Sequence, residues 1–141
     1  MTTSRSRKVA GSVEFNIPLA PVPAARVKHS KWGAYYPPRY ETFRKDCRRW
    51  LEENLEVKDA LTHAELEVIS TFVCKRPKKP AHGYPRGDID NFEKALYDAI
   101  TSSERVWNDD VQISMVRATK RYAIGAEDPC IQVKVRPLHY E

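Results

Sequence analysis

The sequence predicts a single domain of mixed α/β (α+β) class, in which two helices cover a small mixed β-sheet. A chain of 141 residues is long enough for one hydrophobic core and short for two. Its hydrophobic fraction of 41% and charged fraction of 30% are those of an ordinary folded domain. Segments with an apolar period of two alternate with segments of helical period, which gives the element order β-α-β-α-β-β without an internal repeat.

The first strand is predicted at residues 13–19, where apolar and polar residues alternate. Residues 1–12, which precede it, contain several basic residues, and we expect them to form a flexible basic tail to a single domain over residues 13–141. The proline-rich segment from Ala20 to Pro38 is predicted to be a loop, because proline disrupts both helices and central strands.

The first helix is predicted from Tyr40 to about Leu55, because apolar residues recur there at helical spacing while basic residues face elsewhere. The apolar positions are Tyr40, Phe43, Cys47, Trp50 and Leu51. Strand alternation returns from Glu65 to Cys74. The following residues 75–87 contain three prolines and two glycines, which predicts a loop.

The second helix is predicted from Asn91 to about Thr101, with Asp90 as its N-cap. Its buried stripe is predicted to consist of Ile89, Phe92, Leu96, Ala99 and Ile100. Two further strands are predicted at residues 111–122 and 131–135. Apolar residues occupy both faces of the strand at residues 111–122, so the sequence does not decide which of its faces is buried.

The charge of the chain is unevenly distributed. Residues 1–49 contain eleven lysines and arginines against three acids, whereas residues 50–74 contain one against six. The predicted loop at residues 75–87 adds five basic residues and no acid. This distribution favours a polyanionic partner, with nucleic acid as the first candidate, although basic residues that only keep a surface hydrated would give the same count.

Three further features argue against other classes of protein. No apolar run approaches the roughly 20 residues that span a bilayer, so we expect no membrane partner. With only five glycines, no phosphate-cradling loop can be written, so we expect no nucleotide cofactor. The three cysteines Cys47, Cys74 and Cys130 lack CxxC spacing, which predicts reduced, mostly buried thiols in a cytoplasmic protein.

The residues that could carry chemistry are concentrated between Arg86 and Asp110. Asp88 and Asp90 are two residues apart, so their carboxylates would point the same way in an extended chain. Two convergent carboxylates suit a hard divalent cation such as Mg²⁺, for which Mn²⁺ could substitute. Lys94 follows Asp90 by four residues, so it would lie on the same helix face and could contact charge that develops on a phosphate.

A second acidic pair, Asp109 and Asp110, precedes the strand that is predicted from Val111. Because adjacent strand residues face opposite ways, one member of the pair is expected to reach the site. Structural roles would account for each acid separately, with Asp90 as a helix cap and Asp88 in a turn. Acidic side chains beside a basic loop would nevertheless weaken the binding of an anion to that loop. A cation bound by the acids would cancel their negative charge and could itself bind phosphate.

The run GDIDNFEKALYDAI followed by VWNDDVQI resembles the RusA family of Holliday junction resolvases. The family pattern is Asp-x-Asp-Asn with a lysine four residues after the second aspartate, followed about twenty residues later by an Asp-Asp pair that a tryptophan precedes. Its elements here are Asp88, Asp90, Asn91, Lys94, Trp107, Asp109 and Asp110. The segment YYPPRYETFRKDCRRWL is also similar to the tyrosine-rich stretch that leads into the family's first helix.

The resemblance implies a homodimeric, Mg²⁺-dependent endonuclease that nicks two opposed strands of a four-way DNA junction. By position, Asp88, Asp90 and Asp110 are the implied metal ligands, and Lys94 is the implied cation beside the phosphate. Asp109 stays an alternative to Asp110, because the distance from Asp88 is one residue longer than in the family pattern. Two other hypotheses stay open: a related metal-dependent nuclease for other branched DNA, and a non-catalytic nucleic-acid-binding module.

Binding of DNA is predicted to use residues outside the acidic set. Aromatic residues of the basic N-terminal loop could stack on a base that is exposed at the junction, with packing of the loop onto the core as the alternative. These aromatic residues are Trp32, Tyr35 and Tyr36. The candidates for phosphate contacts are Arg26, Lys28, Lys31, Arg39, Lys75, Arg76, Lys78, Lys79 and Arg86.

Overall fold

A four-stranded sheet and two long helices make up the centre of the fold. The computed structural model of the protein describes residues 11–57 and 59–138, so most of the expected basic tail lies outside the described residues. In chain order the elements are β1 (Val13–Ile17), β2 (Lys28–Ser30), β3 (Gly33–Tyr35), α1 (Pro38–Asn54), α2 (Asp59–Thr62), β4 (Leu66–Cys74), α3 (Ile89–Ser103), β5 (Ile113–Tyr122) and β6 (Cys130–Pro137). Within the described part of the chain, no helix has the length and apolar character to cross a membrane.

The sheet has the strand order β1-β6-β4-β5 and is mixed. β4 is parallel to β5 and antiparallel to β6, and β6 is antiparallel to β1. The register places Cys74 opposite Tyr122, so the two parallel strands end together. We call this end of the sheet the carboxyl edge.

The core lies between one face of the sheet and the two long helices. α1 contributes Tyr40, Phe43, Cys47 and Leu51, all of them buried. α3 stacks Phe92 on Phe72 of β4, with the ring centroids 5.4 Å apart. Burial raises the pKa of the Cys47 thiol to about 12, and all three cysteines are free, as predicted.

The predicted fold class and order of the main elements are confirmed, and the structure adds three short elements, β2, β3 and α2. β2 and β3 form an antiparallel hairpin inside the segment predicted as loop. Its strands are three residues long and fully exposed, so no apolar alternation marks them in the sequence. α2 has four residues, which is too short for a helical period to be visible.

Two predicted boundaries beside the candidate acids were wrong. α3 begins at Ile89 with Asp88 as its N-cap, so Asp90 belongs to the first turn of the helix and not to the cap. The strand predicted from Val111 begins at Ile113, because residues Asp110–Gln112 form a 3₁₀ helix. β5 is an edge strand, which explains why no buried face could be assigned to it: Met115 and Val116 face opposite ways and are each 47% exposed.

Candidate active site

The turn that leads into α3 is shaped by Gly87. Its φ of +97° lies in the left-handed region that side chains disfavour, and a Cβ atom there would lie 3.1 Å from Cζ of Phe92. Glycine therefore lets the chain turn tightly over the Phe92 ring. One residue later, the carbonyl of Asp88 accepts hydrogen bonds from the N–H groups of Asn91 and Phe92, at 3.0 and 3.2 Å.

Two residues of β5 hold this turn from the carboxyl edge. Lys120 Nζ donates to the carbonyls of Pro85 and Gly87, at 2.9 and 2.7 Å. The Tyr122 hydroxyl donates to the carbonyl of Tyr84 at 2.9 Å. Sequence analysis missed both roles, because the bonds join residues 33 to 38 positions apart and no local pattern records them. The start of α3, where two of the candidate acids lie, is thereby fixed to the sheet.

Asp88 and Asp90 present free carboxylates at the start of α3. Although Asp88 is the N-cap, its side chain makes no capping hydrogen bond. Both residues are exposed, and within the described residues neither carboxylate takes part in an ion pair. The helix dipole stabilises negative charge at this end of α3. The extended-chain argument that aligned the two carboxylates does not apply, since Asp90 lies inside the helix.

Lys94 lies one turn further along the same face of α3. Residues four apart on a helix have Cβ atoms about 5–6 Å apart, so Lys94 is a neighbour of Asp90. Its Nζ lies 3.5 Å from Oδ2 of Asp98, and its side chain is 66% exposed. An exposed ion pair of this kind is weak, so the ammonium group can exchange Asp98 for another anion at little cost.

Asp109 has a structural role in the 3₁₀ helix. Its Oδ1 accepts a hydrogen bond from the N–H of Val111 at 3.3 Å, while Oε1 of Gln112 accepts from the N–H of Asp109 at 2.9 Å. The Asp109 side chain also accepts from the N–H of Gln112, and this bond and the one from Asp109 N–H to Gln112 Oε1 make a capping box. Gln112 also donates through Nε2 to the carbonyls of Leu61 and Ala64, at 3.0 and 2.8 Å. The 3₁₀ helix is therefore fixed at α2 and the residues after it.

Asp110 is the member of the acidic pair that interacts electrostatically with α3. Partial desolvation, a hydrogen bond with Asp109 and the charges of Asp109 and Asp98 raise the pKa of the Asp110 carboxyl, and the Lys94 ammonium opposes this shift. The predicted reason for separating the pair was wrong, because neither residue lies in a strand. The two acids differ because Asp109 caps the 3₁₀ helix.

The candidate acids form two groups with Lys94 between them. Asp88 and Asp90 lie at the start of α3, and Asp109 and Asp110 lie at the 3₁₀ helix, where Asp110 interacts electrostatically with Asp98 of α3. Across residues 11–57 and 59–138, no three histidine, cysteine or acidic side chains are arranged as a metal site. The chemistry of the donors nevertheless fits a hard cation, since all of them are carboxylates.

The nine basic residues predicted to contact phosphate are all exposed. In the described part of the chain none of the nine forms an ion pair with a carboxylate, whereas Arg44 and Lys45 of α1 pair with Glu41. Arg76 lies over the ring of Tyr122, 5.2 Å from its centroid, at the carboxyl edge. The unpaired basic side chains are therefore free to bind an anion, and Arg86 lies in the turn that leads into α3.

The three aromatic residues predicted to stack on a base differ in their surroundings. Trp32 is 86% exposed and Tyr35 is 48% exposed. Tyr36 instead packs edge-on against Tyr40, with the ring centroids 5.1 Å apart, and lies 4.5 Å from the Arg44 guanidinium. Packing onto the core, the alternative to stacking, therefore describes Tyr36.

The family of the chain follows from a comparison with family models. No curated protein matches the chain. The model of the RusA endodeoxyribonucleases matches residues 18–136, a range that begins directly after β1 and includes β4, β5, all but the last residue of β6, both long helices, the hairpin and every candidate acid. The resemblance found in the acidic motif thus extends over most of the fold, and the chain belongs to the RusA family, the endodeoxyribonucleases that resolve Holliday junctions.

Proposed function

We propose that the protein resolves four-way DNA junctions by Mg²⁺-dependent hydrolysis of two opposed strands, and that it acts as a homodimer. One observation carries the proposal: aspartates with free carboxylates and Lys94 lie on one helix of a RusA-family domain, next to basic residues that lack acidic partners. Acids alone would repel DNA. Acids that hold a divalent cation within a basic surface form a site that attracts DNA.

In this proposal Asp88, Asp90 and Asp110 hold the cation, and Mn²⁺ could replace Mg²⁺. When bound, a divalent cation supplies Lewis-acid chemistry, since it lowers the pKa of water and neutralises phosphate charge. Support for Asp110 comes from its electrostatic interaction with Lys94 and Asp98, both on α3. Asp109 is the weaker candidate, because its carboxylate caps the 3₁₀ helix.

Lys94 is proposed to stabilise charge on the phosphate. Its ammonium is mostly exposed and pairs only with Asp98 among the described carboxylates, so a phosphate oxygen can replace that partner. A positioned cation acts where charge develops during hydrolysis, and in a site closed by DNA it acts more strongly than in water. The products expected from such in-line hydrolysis are a 5′-phosphate and a 3′-hydroxyl.

Lys120 is proposed to be a positioning residue. It does not reach the reacting atoms in this account but holds the carbonyls of Pro85 and Gly87, directly before Asp88. Together with the tight packing of Gly87 on Phe92, these bonds fix where α3 starts. The carboxylates of the first turn thus project from a rigid support, which a metal site requires.

Support for a homodimer comes from the symmetry of the substrate. A four-way junction has approximate two-fold symmetry, and paired nicks on opposed strands require two active sites that face it. A two-fold symmetric dimer, the commonest assembly of identical chains, provides such a pair.

A panel of DNA substrates tests the proposal. We expect Mg²⁺ to support paired, symmetric nicks in a labelled four-way junction, with no nicks in a linear duplex of the same sequence and none in EDTA. Forked and flapped DNA belong in the panel, because faster cutting of either would indicate a nuclease for other branched DNA. Tight binding of the junction without cutting in Mg²⁺ or Mn²⁺ would contradict an enzymatic function.

A further inference from the structure

We propose that the β2–β3 hairpin, residues Lys28–Tyr35, recognises the branch point of the DNA, with the Trp32 ring stacked on a base that the branch exposes. The inference rests on the proposed function and deepens it, since it names the element that distinguishes branched DNA from linear duplex.

The hairpin makes no contribution to the hydrophobic core. Ten consecutive residues, 26–35, are exposed, so neither face of the hairpin is covered. Its turn is held by Ser30, whose Oγ accepts from the N–H of Trp32 at 3.1 Å and donates to the carbonyl of Gly33 at 3.3 Å. A two-stranded hairpin without a covered face is marginally stable, so packing does not explain the large apolar side chain at its tip.

Trp32 differs from the other two tryptophans of the chain. Trp107 is buried, and its Nε1 donates to Thr101 Oγ1 at 2.7 Å. Trp50 packs against Phe15, with the ring centroids 6.2 Å apart. Trp32 is 86% exposed, and its ring contacts the neighbouring Lys31, whose Nζ lies 5.0 Å from the ring centroid. The tip thus presents an aromatic face beside a cation.

The charge around the tip suits a nucleic acid. No aspartate or glutamate occurs between Glu14 and Glu41, whereas four lysines and arginines do. They are Arg26, Lys28, Lys31 and Arg39. An aromatic ring among unpaired cations is the combination that binds unstacked bases and their phosphates, because every base has a π-face and every nucleotide a charge.

The hairpin is anchored beside the proposed metal ligands. The N–H of Ala24 donates to the carbonyl of Asn91 in the first turn of α3, at 2.9 Å. On the other side of the hairpin, Tyr36 packs on α1 through Tyr40 and Arg44. Trp32 is eight positions after Ala24, so the tip lies at most about 28 Å from this anchor. At about 3.4 Å per base pair, that is roughly eight base-pair steps along a duplex arm.

Stacking by Trp32 would favour branched DNA for a thermodynamic reason. In a linear duplex each base is covered on both faces, so a stacking side chain must first unstack the helix, at a cost of a few kcal/mol. At a branch point the continuous stack is interrupted and a base face is available without that cost. The ring therefore adds affinity for the junction and none for the duplex.

Binding measured in EDTA, where no cleavage occurs, tests the inference. Labelled four-way junction and linear duplex with the same arm sequence are titrated with wild type, Trp32→Ala, Trp32→Phe and Val57→Ala. Val57 is a matched control because it is also apolar and exposed. We expect Trp32→Ala to weaken junction binding about tenfold, since stacking accounts for 1–3 kcal/mol per base, and to leave duplex binding unchanged. Trp32→Phe should restore most of the affinity.

A second measurement reports the stacking itself. With 2-aminopurine at the branch point, wild type and Trp32→Phe should change the probe's fluorescence, and Trp32→Ala should not. A junction preference that survives Trp32→Ala overturns the inference and leaves the proposed function standing. Equal weakening of both DNAs, or a Trp32→Ala protein with an altered oligomeric state, also overturns it. A wild-type protein without any preference for the junction overturns the proposed function as well.

Discussion

Replacing Asp90 with asparagine is expected to abolish strand cleavage while leaving junction binding intact or slightly tighter. Asp90 lies in the first turn of α3, is exposed and forms no ion pair with any described residue, so its removal breaks no structural contact. Asparagine keeps the shape of the side chain but removes the charge that a divalent cation requires. Loss of about 4 kcal/mol of charge stabilisation corresponds to a rate reduction of roughly a thousandfold.

Junction cleavage and junction binding have to be measured on the same preparation of Asp90→Asn. Asp128→Asn is the matched control, because Asp128 is an exposed aspartate in the connection between β5 and β6 and is not one of the candidate acids. Binding should not weaken, since one repulsive charge near the DNA is lost. If Asp90→Asn cuts at the rate of Asp128→Asn, Asp90 is not a metal ligand.

The two acids that precede β5 are expected to respond differently to the same substitution. Asp110→Asn should lower cleavage roughly a thousandfold by the same loss of charge stabilisation. Asp109→Asn should be far milder, because asparagine caps a helix as well as aspartate does and the hydrogen bond to Val111 can be kept. The prediction separates the ligand from its structural neighbour, which the sequence spacing left open.

Stability measurements make the distinction sharper. Asp109→Ala removes the cap and should lower the free energy of unfolding by about 0.5–2 kcal/mol, whereas Asp110→Asn should not lower it. Relief of the carboxylate repulsion around Asp110 should if anything stabilise that variant. If Asp109→Asn loses more cleavage activity than Asp110→Asn, then Asp109 is the metal ligand and Asp110 is not.

Burial explains how much of the fold could be predicted. The long strands and helices each bury one face, which imposes a period of two or 3.6 on their residues. The β2–β3 hairpin buries neither face and therefore carries no such pattern. The sequence predicts Asp90 as the N-cap of α3, whereas the N-cap is Asp88; aspartate is a good cap at either position. The packing of Gly87 against Phe92, which fixes the turn before the helix, leaves no pattern in the sequence.

The site was predictable in its composition and less so in its geometry. The aspartates and Lys94 were visible as a motif, but the orientation of the acidic pair was not. One signal was available: Asp109 and Gln112 have the spacing of a capping box, which identifies Asp109 as structural. Lys120 gave no comparable signal, because its partners are carbonyl groups, which every residue has.

The central claim is that carboxylates from two separate elements, the start of α3 and the 3₁₀ helix before β5, hold a divalent cation. Electron paramagnetic resonance of Mn²⁺ tests this directly, because the sharp signal of the free ion is lost on binding. Titration of wild type, Asp90→Asn, Asp110→Asn and the control Asp128→Asn should show binding by wild type and the control. Each of the other two single variants should lose most of it. Unchanged Mn²⁺ binding by Asp90→Asn or Asp110→Asn would contradict the account.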